Sequence, residues 1–277
     1  PPLVSTLDAR IVWKASVGSA QGEALQPAAT DDAIYAASAS GALVRLDPRN
    51  GQEVWRADTQ QRIASGVGTD GDTVVVATSR GQVLAYGADG QHRWTAQATS
   101  DVMSPALVGH GLVIVRATDQ RISAFEIQTG QKRWVYQREQ PPLTLRVVSD
   151  MRFIQNLLVV GFPQGRLVGI ALADGSLLWE APVAQPSGST EVERLADVVG
   201  PMAVDQRDIC AATFQGRIVC IDAERGALRW ARPLSALAGV LIDGESVVAI
   251  DENSHVLAYA RSTGASLWVN QQLHRRG

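Results

Sequence analysis

The sequence predicts an all-β chain folded as a β-propeller of four-stranded antiparallel blades, and three observations carry that prediction. Six of the seven tryptophans follow a glycine by four residues, from Gly51 and Trp55 to Gly264 and Trp268, whereas Trp13 has an alanine there. Successive tryptophans lie 42, 39, 40, 45, 51 and 38 residues apart. Short β-prone runs separated by tight turns fill each interval. A period near 40 residues with several short strands is typical of propeller blades.

The third repeat shows the predicted unit. Its four runs span residues 104–108, 112–115, 122–125 and 133–136, and turn residues such as His110-Gly111 and Thr129-Gly130 separate them. One such sheet cannot bury both faces, but blades stacked around an axis can. We expect the glycine to adopt a positive φ where the third strand turns into the fourth, and the tryptophan ring to pack between neighbouring blades. These structural docking residues are Trp55, Trp94, Trp134, Trp179, Trp230 and Trp268.

The repeat count predicts six complete blades and one extra strand around Trp13. If each tryptophan strand is outermost, the three inner companions of the Trp13 strand are missing from the sequence. An open ring would expose two blade faces. We therefore expect residues 1–277 to form a single propeller domain that lacks C-terminal blades of a longer protein.

Composition narrows the function classes. The 25 basic residues balance 28 acidic ones, which gives no electrostatic footprint for nucleic acid. No run of 18 apolar residues predicts a transmembrane helix. With 45% hydrophobic residues, the chain is expected to be folded and globular.

Two consecutive repeats carry insertions after the tryptophan strand. The first covers residues 137–149 and includes Leu143, Leu145 and Arg146; the second covers residues 184–200 and includes Arg194 and Asp197. In an up-and-down blade, such connections emerge on one face of the ring, and enlarged loops usually mark a binding face. Apolar residues beside a guanidinium suit an interface core with a charged rim. The alternatives are leucines tucked under the loop, and for Asp197 either a contact with Arg146 or an ordinary solvated acid.

The repeat also resembles known propellers. Residues 129–134, with Ala124 upstream, resemble the tryptophan-docking motif of quinoprotein-like, PQQ-type propellers. Residues 142–146 and 188–197 resemble the matching segments of the BamB family, the propeller lipoproteins of the outer-membrane β-barrel assembly (BAM) machinery.

The BamB resemblance implies eight blades and a non-catalytic scaffold that binds the POTRA domains of BamA and assists insertion of outer-membrane proteins, with unfolded outer-membrane proteins as further partners. It implies a place on the periplasmic face of the outer membrane, held by a lipidated N-terminal cysteine that this sequence lacks. It assigns partner contacts to Leu143, Leu145, Arg146 and Asp197. A second acid expected two residues after Asp197 is replaced by Val199.

Two alternatives use the same fold. A PQQ-dependent quinoprotein dehydrogenase needs adjacent cysteines, a calcium site and a catalytic aspartate, but Cys210 and Cys220 are ten residues apart. The four histidines have no metal-ligand spacing, so no metal, cofactor or catalytic residue is predicted. A ligand-binding or sensor propeller would use its central channel.

The two cysteines leave two possibilities open. They flank the turn at residues 214–216, so a short loop would place them opposite each other as a cross-strand disulfide. The exported BamB-like family would supply the oxidising compartment. The other possibility is a pair of buried free thiols that act as small hydrophobes.

Overall fold

A computed structural model describes residues 10–102, 104–138, 150–184, 197–214 and 216–272. These residues form no helix; their strands make six four-stranded antiparallel sheets, and each sheet takes four consecutive strands in chain order. Each sheet is one blade, as the repeat pattern predicts. Within the same ranges, no helix has the length and apolar character that crossing a membrane requires.

The first of two compact units, residues 1–138, contains blades 1 to 3. Its strands are β1 (Ala28–Ala29), β2 (Ile34–Ala37), β3 (Ala42–Leu46), β4 (Glu53–Asp58), β5 (Gly68–Thr69), β6 (Thr73–Ala77), β7 (Gln82–Gly87), β8 (His92–Gln97), β9 (Leu107–Gly109), β10 (Leu112–Arg116), β11 (Ile122–Glu126) and β12 (Lys132–Tyr136).

The second unit, residues 139–277, contains blades 4 to 6. Its strands are β13 (Met151–Ile154), β14 (Leu157–Phe162), β15 (Arg166–Ala171), β16 (Leu177–Pro182), β17 (Val198–Val204), β18 (Asp208–Thr213), β19 (Gly216–Asp222), β20 (Leu228–Leu234), β21 (Ala236–Asp243), β22 (Ser246–Asp251), β23 (Val256–Ala260) and β24 (Ser266–Asn270).

The inner strands are apolar at consecutive positions because both faces of a blade are buried. On β6, Val74 and Val76 join the apolar cluster shared with blade 1, whereas Val75 and Ala77 join the cluster shared with blade 3. Side chains alternate along a strand, so consecutive valines serve two different cores. The core of each unit therefore lies between successive blades.

A β-bulge precedes the tryptophan in every blade, and sequence reasoning missed it. In blade 2, Ala85 pairs with Trp94 while Tyr86 pairs with His92, which leaves Arg93 as the extra residue. The same register shift occurs between the third and fourth strands of the other five blades. A bulge re-aims the side chains around it. The extra residue points to solvent and the tryptophan turns toward the blade face, which explains why Val54, Leu178 and Leu267 are exposed.

The segment around Trp13 differs from its prediction. Residues 10–20 form no strand, although the repeat count predicts an outer strand there. A strand requires a ladder with a neighbour, and within the described ranges no strand pairs with this segment. The segment instead lies on blade 1, where Ala39 donates its backbone N–H to Ser19 O at 3.0 Å and Arg56 Nη1 donates to Val17 O at 3.4 Å.

Candidate functional site

The tryptophan docks join one blade to the next. The Trp55 ring lies against Gly90, where an added Cβ would be 2.8 Å from the ring atom Cδ2, and its Nε1 donates to Ala88 O at 2.8 Å. Gly90 has φ +83°, a conformation that glycine adopts without a steric penalty. The ring needs a residue without a side chain at this point. A glycine is thus required at this position for two reasons: its backbone has a positive φ, and a side chain would collide with the tryptophan ring.

The same geometry recurs within each unit. Trp13 and Trp94 in the first unit, and Trp179 and Trp230 in the second, each lie against a glycine of the following blade. The four corresponding Nε1 hydrogen bonds reach Pro48 O at 2.9 Å, Ile127 O at 2.8 Å, Ala223 O at 3.0 Å and Arg261 O at 2.6 Å.

Two tryptophans remain. Trp134 is buried on blade 3. Trp268 is 47% exposed.

The predicted partner residues fall mostly outside the described residues. Leu143, Leu145, Arg146 and Arg194 all lie in ranges that the structure does not describe. Asp197 is described, and it is only 6% exposed.

Asp197 is buried because its polar groups are used within the fold. Its Oδ1 accepts the backbone N–H of Gln164 at 2.8 Å, and its carbonyl oxygen accepts the N–H of Phe214 at 3.0 Å. Gln164 lies in the turn between β14 and β15, so the acid ties blade 4 to the start of blade 5. The expectation of an ordinary solvated acid is therefore wrong. Burying a carboxylate costs little only when hydrogen bonds within the protein replace those it made with water.

The other end of the second insertion is held as firmly. Val183 donates its N–H to Gly165 O at 2.7 Å. The Arg217 guanidinium donates to Val183 O at 2.8 Å and to Pro182 O at 3.2 Å. Both stems of the insertion therefore meet the turn between the second and third strands of blade 4, and each is also hydrogen-bonded to blade 5. Sequence reasoning missed Arg217 because nothing in its own repeat distinguishes it from a solvated strand residue.

A chain of ion pairs lies on the side of blades 5 and 6. Asp208 bridges two arginines: Oδ1 is 2.6 Å from Arg229 Nε, and Oδ2 is 3.0 Å from Arg261 Nη2. Arg229 also pairs with Asp222 at 2.9 Å, and Arg261 pairs with Asp205. The N–H of Gln206 and the charge of Arg261 lower the pKa of Asp205 below its usual value. Arg261 belongs to blade 6, and its carbonyl oxygen also accepts the Trp230 hydrogen bond. These ion pairs therefore join blades 5 and 6 at the same place as the Trp230 dock.

The end of blades 4 and 5 formed by the turns between the first and second strands holds an open cavity of about 490 Å³. Gln155 Nε2 donates to Gln206 O at 3.1 Å across it. The lining combines apolar and polar side chains, namely Phe153, Ile154, Gln155, Val204, Asp205 and Gln206.

Within the described ranges, no group of three or more His, Cys, Asp and Glu side chains is placed to hold a metal ion. Cys210 and Cys220 face each other on β18 and β19 with Cα atoms 4.1 Å apart, and they form a disulfide. Of the two possibilities, the structure shows the cross-strand disulfide and not a pair of free thiols.

Four-stranded blades joined by tryptophan docks define a β-propeller of the PQQ-like repeat class. Comparison with known proteins agrees: the family model described as outer membrane protein assembly factor BamB matches residues 39–270. The outer membrane protein assembly factor BamB of Burkholderia pseudomallei is 42% identical over 98% of this chain and 71% of the relative. That of Bordetella pertussis is 39% identical over 98% and 70%.

A solved structure gives the same result. The crystal structure of BamB from Moraxella catarrhalis superposes with a TM-score of 0.83 at 27% identity, covering 92% of this chain and 78% of that one. The chain belongs to the BamB family. The resemblance found in residues 142–146 and 188–197 is therefore confirmed at the level of the family.

Proposed function

We propose that this chain is a non-catalytic scaffold of the outer-membrane protein assembly machinery and binds the POTRA domains of BamA through the two insertions. Membership of the BamB family carries the proposal, since the relatives bear the name of outer membrane protein assembly factors. Family membership also favours the scaffold over the quinoprotein dehydrogenase and the ligand-binding propeller. On this proposal the protein works at the periplasmic face of the outer membrane, held by a lipid anchor.

The anchored stems support the role of the second insertion. Gly165 and Arg217 hold the backbone just before it, and Asp197 holds its C-terminal part, through hydrogen bonds to Val183, Pro182 and Gln164. Binding costs less conformational entropy when a loop is fixed at both ends before the partner arrives. The stems thus favour a loop that presents one surface to a partner.

The burial of Asp197 changes the role we propose for it. Its carboxylate is occupied by the N–H of Gln164, so it acts on binding by positioning the loop. Leu143, Leu145 and Arg146 are proposed to make the direct contact, with Arg194 beside them. The leucines enter an apolar groove of a POTRA domain, and Arg146 pairs with an acid there, the composition expected of an interface hot spot.

A titration against isolated POTRA domains tests this site. The double variant Leu143→Ala, Arg146→Ala should bind at least about a hundredfold more weakly, because truncating each of two anchors costs about 2 kcal/mol or more and each 1.4 kcal/mol is about tenfold. The matched control is Leu241→Ala with Arg49→Ala, in which the leucine is 63% exposed and the arginine side chain 86% exposed. The control should bind like the unchanged protein.

Circular dichroism must show that both double variants stay folded. Equal affinity of the two folded variants would remove the insertions as the site. Asp197→Ala should have a smaller effect than the test variant, and Asp197→Asn, which keeps an acceptor for the Gln164 N–H, should recover most of the affinity. A loss in Asp197→Asn as large as in the test variant would instead indicate a direct charge contact.

A further inference from the structure

The Cys210–Cys220 disulfide is sealed by the packing of two blades. Both cysteines are 0% exposed. They belong to one apolar cluster with Trp230 of their own blade and with Val247 and Tyr259 of blade 6. Cys220 is also the direct cross-strand partner of Trp230, whose ring lies on blade 6. Blade 6 therefore covers the face of blade 5 that carries the bond.

Thiol–disulfide chemistry cannot reach such a pair after the blades pack. The reaction needs a thiolate to approach a sulfur atom directly, and burial in apolar surroundings raises the pKa of a thiol and disfavours the thiolate. Both requirements are met only while this face of blade 5 is open to solvent. The bond must therefore form before blade 6 covers it.

The hairpin of β18 and β19 is able to bring the thiols together without the rest of the fold. Cys210 and Cys220 are register partners separated by ten residues, with one turn between them. Hairpins form within about 1–10 μs, whereas packing of sequence-distant elements is slower. The local structure needed for oxidation can thus precede the packing that ends it.

We propose that an external dithiol–disulfide oxidant closes the Cys210–Cys220 bond on the blade 5 hairpin, and that docking of blade 6 then seals the bond against thiols. The thiolate of one cysteine attacks the oxidant's disulfide and releases one oxidant thiol. The second cysteine, as thiolate, attacks the resulting mixed disulfide and releases the other. Two electrons and two protons pass from the protein to the oxidant, which leaves as a dithiol. The chain is accordingly a client of a thiol–disulfide oxidoreductase.

The first test measures reduction of the folded, oxidised protein by dithiothreitol, with alkylation and mass spectrometry to count free thiols. Reduction should be at least about a hundredfold slower than in the urea-unfolded protein, because attack must wait for opening of blade 6. Equal rates in the folded and unfolded protein would overturn the seal.

Two glycine variants identify the element that seals the bond. An added Cβ at Gly264 would lie 2.5 Å from the Trp230 ring and would loosen blade 6, whereas one at Gly90 would lie 2.8 Å from the Trp55 ring in the first unit. Gly264→Ala should speed reduction about tenfold or more, and Gly90→Ala about twofold at most, because only the first opens the covering blade. Equal acceleration in both would overturn blade 6 as the seal.

The order of events is tested by refolding the reduced, unfolded protein in oxidised glutathione. Disulfide formation, followed by quenched alkylation, should precede the native near-ultraviolet circular dichroism signal of the buried aromatic rings. Appearance of the native signal before the disulfide would overturn the proposal.

Discussion

Blades 5 and 6 carry the same motif, but their tryptophans differ in exposure. Trp230 on β20 is 5% exposed, whereas Trp268 on β24 is 47% exposed. Both follow a glycine by four residues, and both sit beyond a β-bulge. The difference is that Trp230 rests on Gly264 of the following blade. The motif therefore places the tryptophan for docking, and in blade 5 the receiving glycine of the next blade covers the ring.

Trp13 also shows the importance of the receiving glycine. Its own segment forms no strand, yet its ring lies against Gly51 and its Nε1 donates to Pro48 O at 2.9 Å. A regular strand is thus not required for docking. The receiving turn supplies a glycine, which leaves room for the ring, and a carbonyl oxygen that accepts the Nε1 hydrogen bond.

The largest expected effect separates the two tryptophans. Trp230→Ala should lower the free energy of unfolding by about 3–5 kcal/mol, because it removes a buried ring and leaves a cavity. Trp268→Ala should change it by less than about 1 kcal/mol, since that residue is already 47% exposed. Urea unfolding followed by far-ultraviolet circular dichroism measures both. Similar losses would contradict the comparison.

The next effect concerns the residue opposite each ring. Cys220 pairs with Trp230, whereas Ala258 pairs with Trp268. Converting Cys210 and Cys220 to alanine makes blade 5 resemble blade 6 at this point, and it should cost about 3 kcal/mol through lost restriction of the unfolded chain. The wild-type protein unfolded with reductant present is the control, and it should approach the variant. A variant as stable as the oxidised protein would exclude a stabilising role for the bond.

The glycines sharpen the comparison further. Gly264 and Gly244 both have positive φ, +67° and +57°, but only Gly264 faces a ring; nothing lies within 4 Å of a Cβ at Gly244. Gly264→Ala should therefore be less stable than Gly244→Ala by about 2 kcal/mol, the cost of overpacking against Trp230. The backbone strain common to both variants cancels in the difference. Denaturation midpoints that agree would show that conformation alone requires the glycine.

The smallest expected effect is a change in the pKa of Asp47, next to the Trp13 dock. The Arg49 side chain and backbone N–H donate to Asp47, which precedes Pro48, and they lower the pKa of its carboxyl to about 2. Because the folded pKa is lowered, any stabilisation is present above the unfolded value and is lost as pH falls toward 2. Arg49→Ala should return the pKa most of the way to about 4, measured by NMR titration of the Asp47 side chain. An unchanged pKa would exclude the guanidinium as the cause.

Local pattern was enough to predict the blades. The third repeat's four runs correspond to β9 through β12, and the six motif glycines have positive φ as expected. Such features depend on neighbours in the chain: turn residues set the reversals, and β-branched runs set the strands. The bulge before each tryptophan was not predicted, because no particular residue type marks the extra position in the sequence.

The candidate site was predictable only where the chain departs from its own period. Spacings of 45 and 51 residues revealed the two insertions, and the family resemblance assigned their residues. Neither the spacings nor the resemblance indicated that Asp197 is buried and accepts the Gln164 N–H. They also did not indicate that Arg217 binds the backbone at the other end of the second insertion. These partners come from different strands or blades, so no local pattern encodes them.

By itself, therefore, the sequence determined the repeat, the four-stranded blade, the turn glycines and the position of the insertions. Only the tertiary structure decided which glycine receives each docked tryptophan, that Asp208 links Arg229 to Arg261, and that blade 6 covers the disulfide of blade 5. The physical reason is the range of the interactions. Backbone conformation and side-chain alternation act over a few residues, whereas burial and ion pairing need a partner that folding brings from a distant part of the chain.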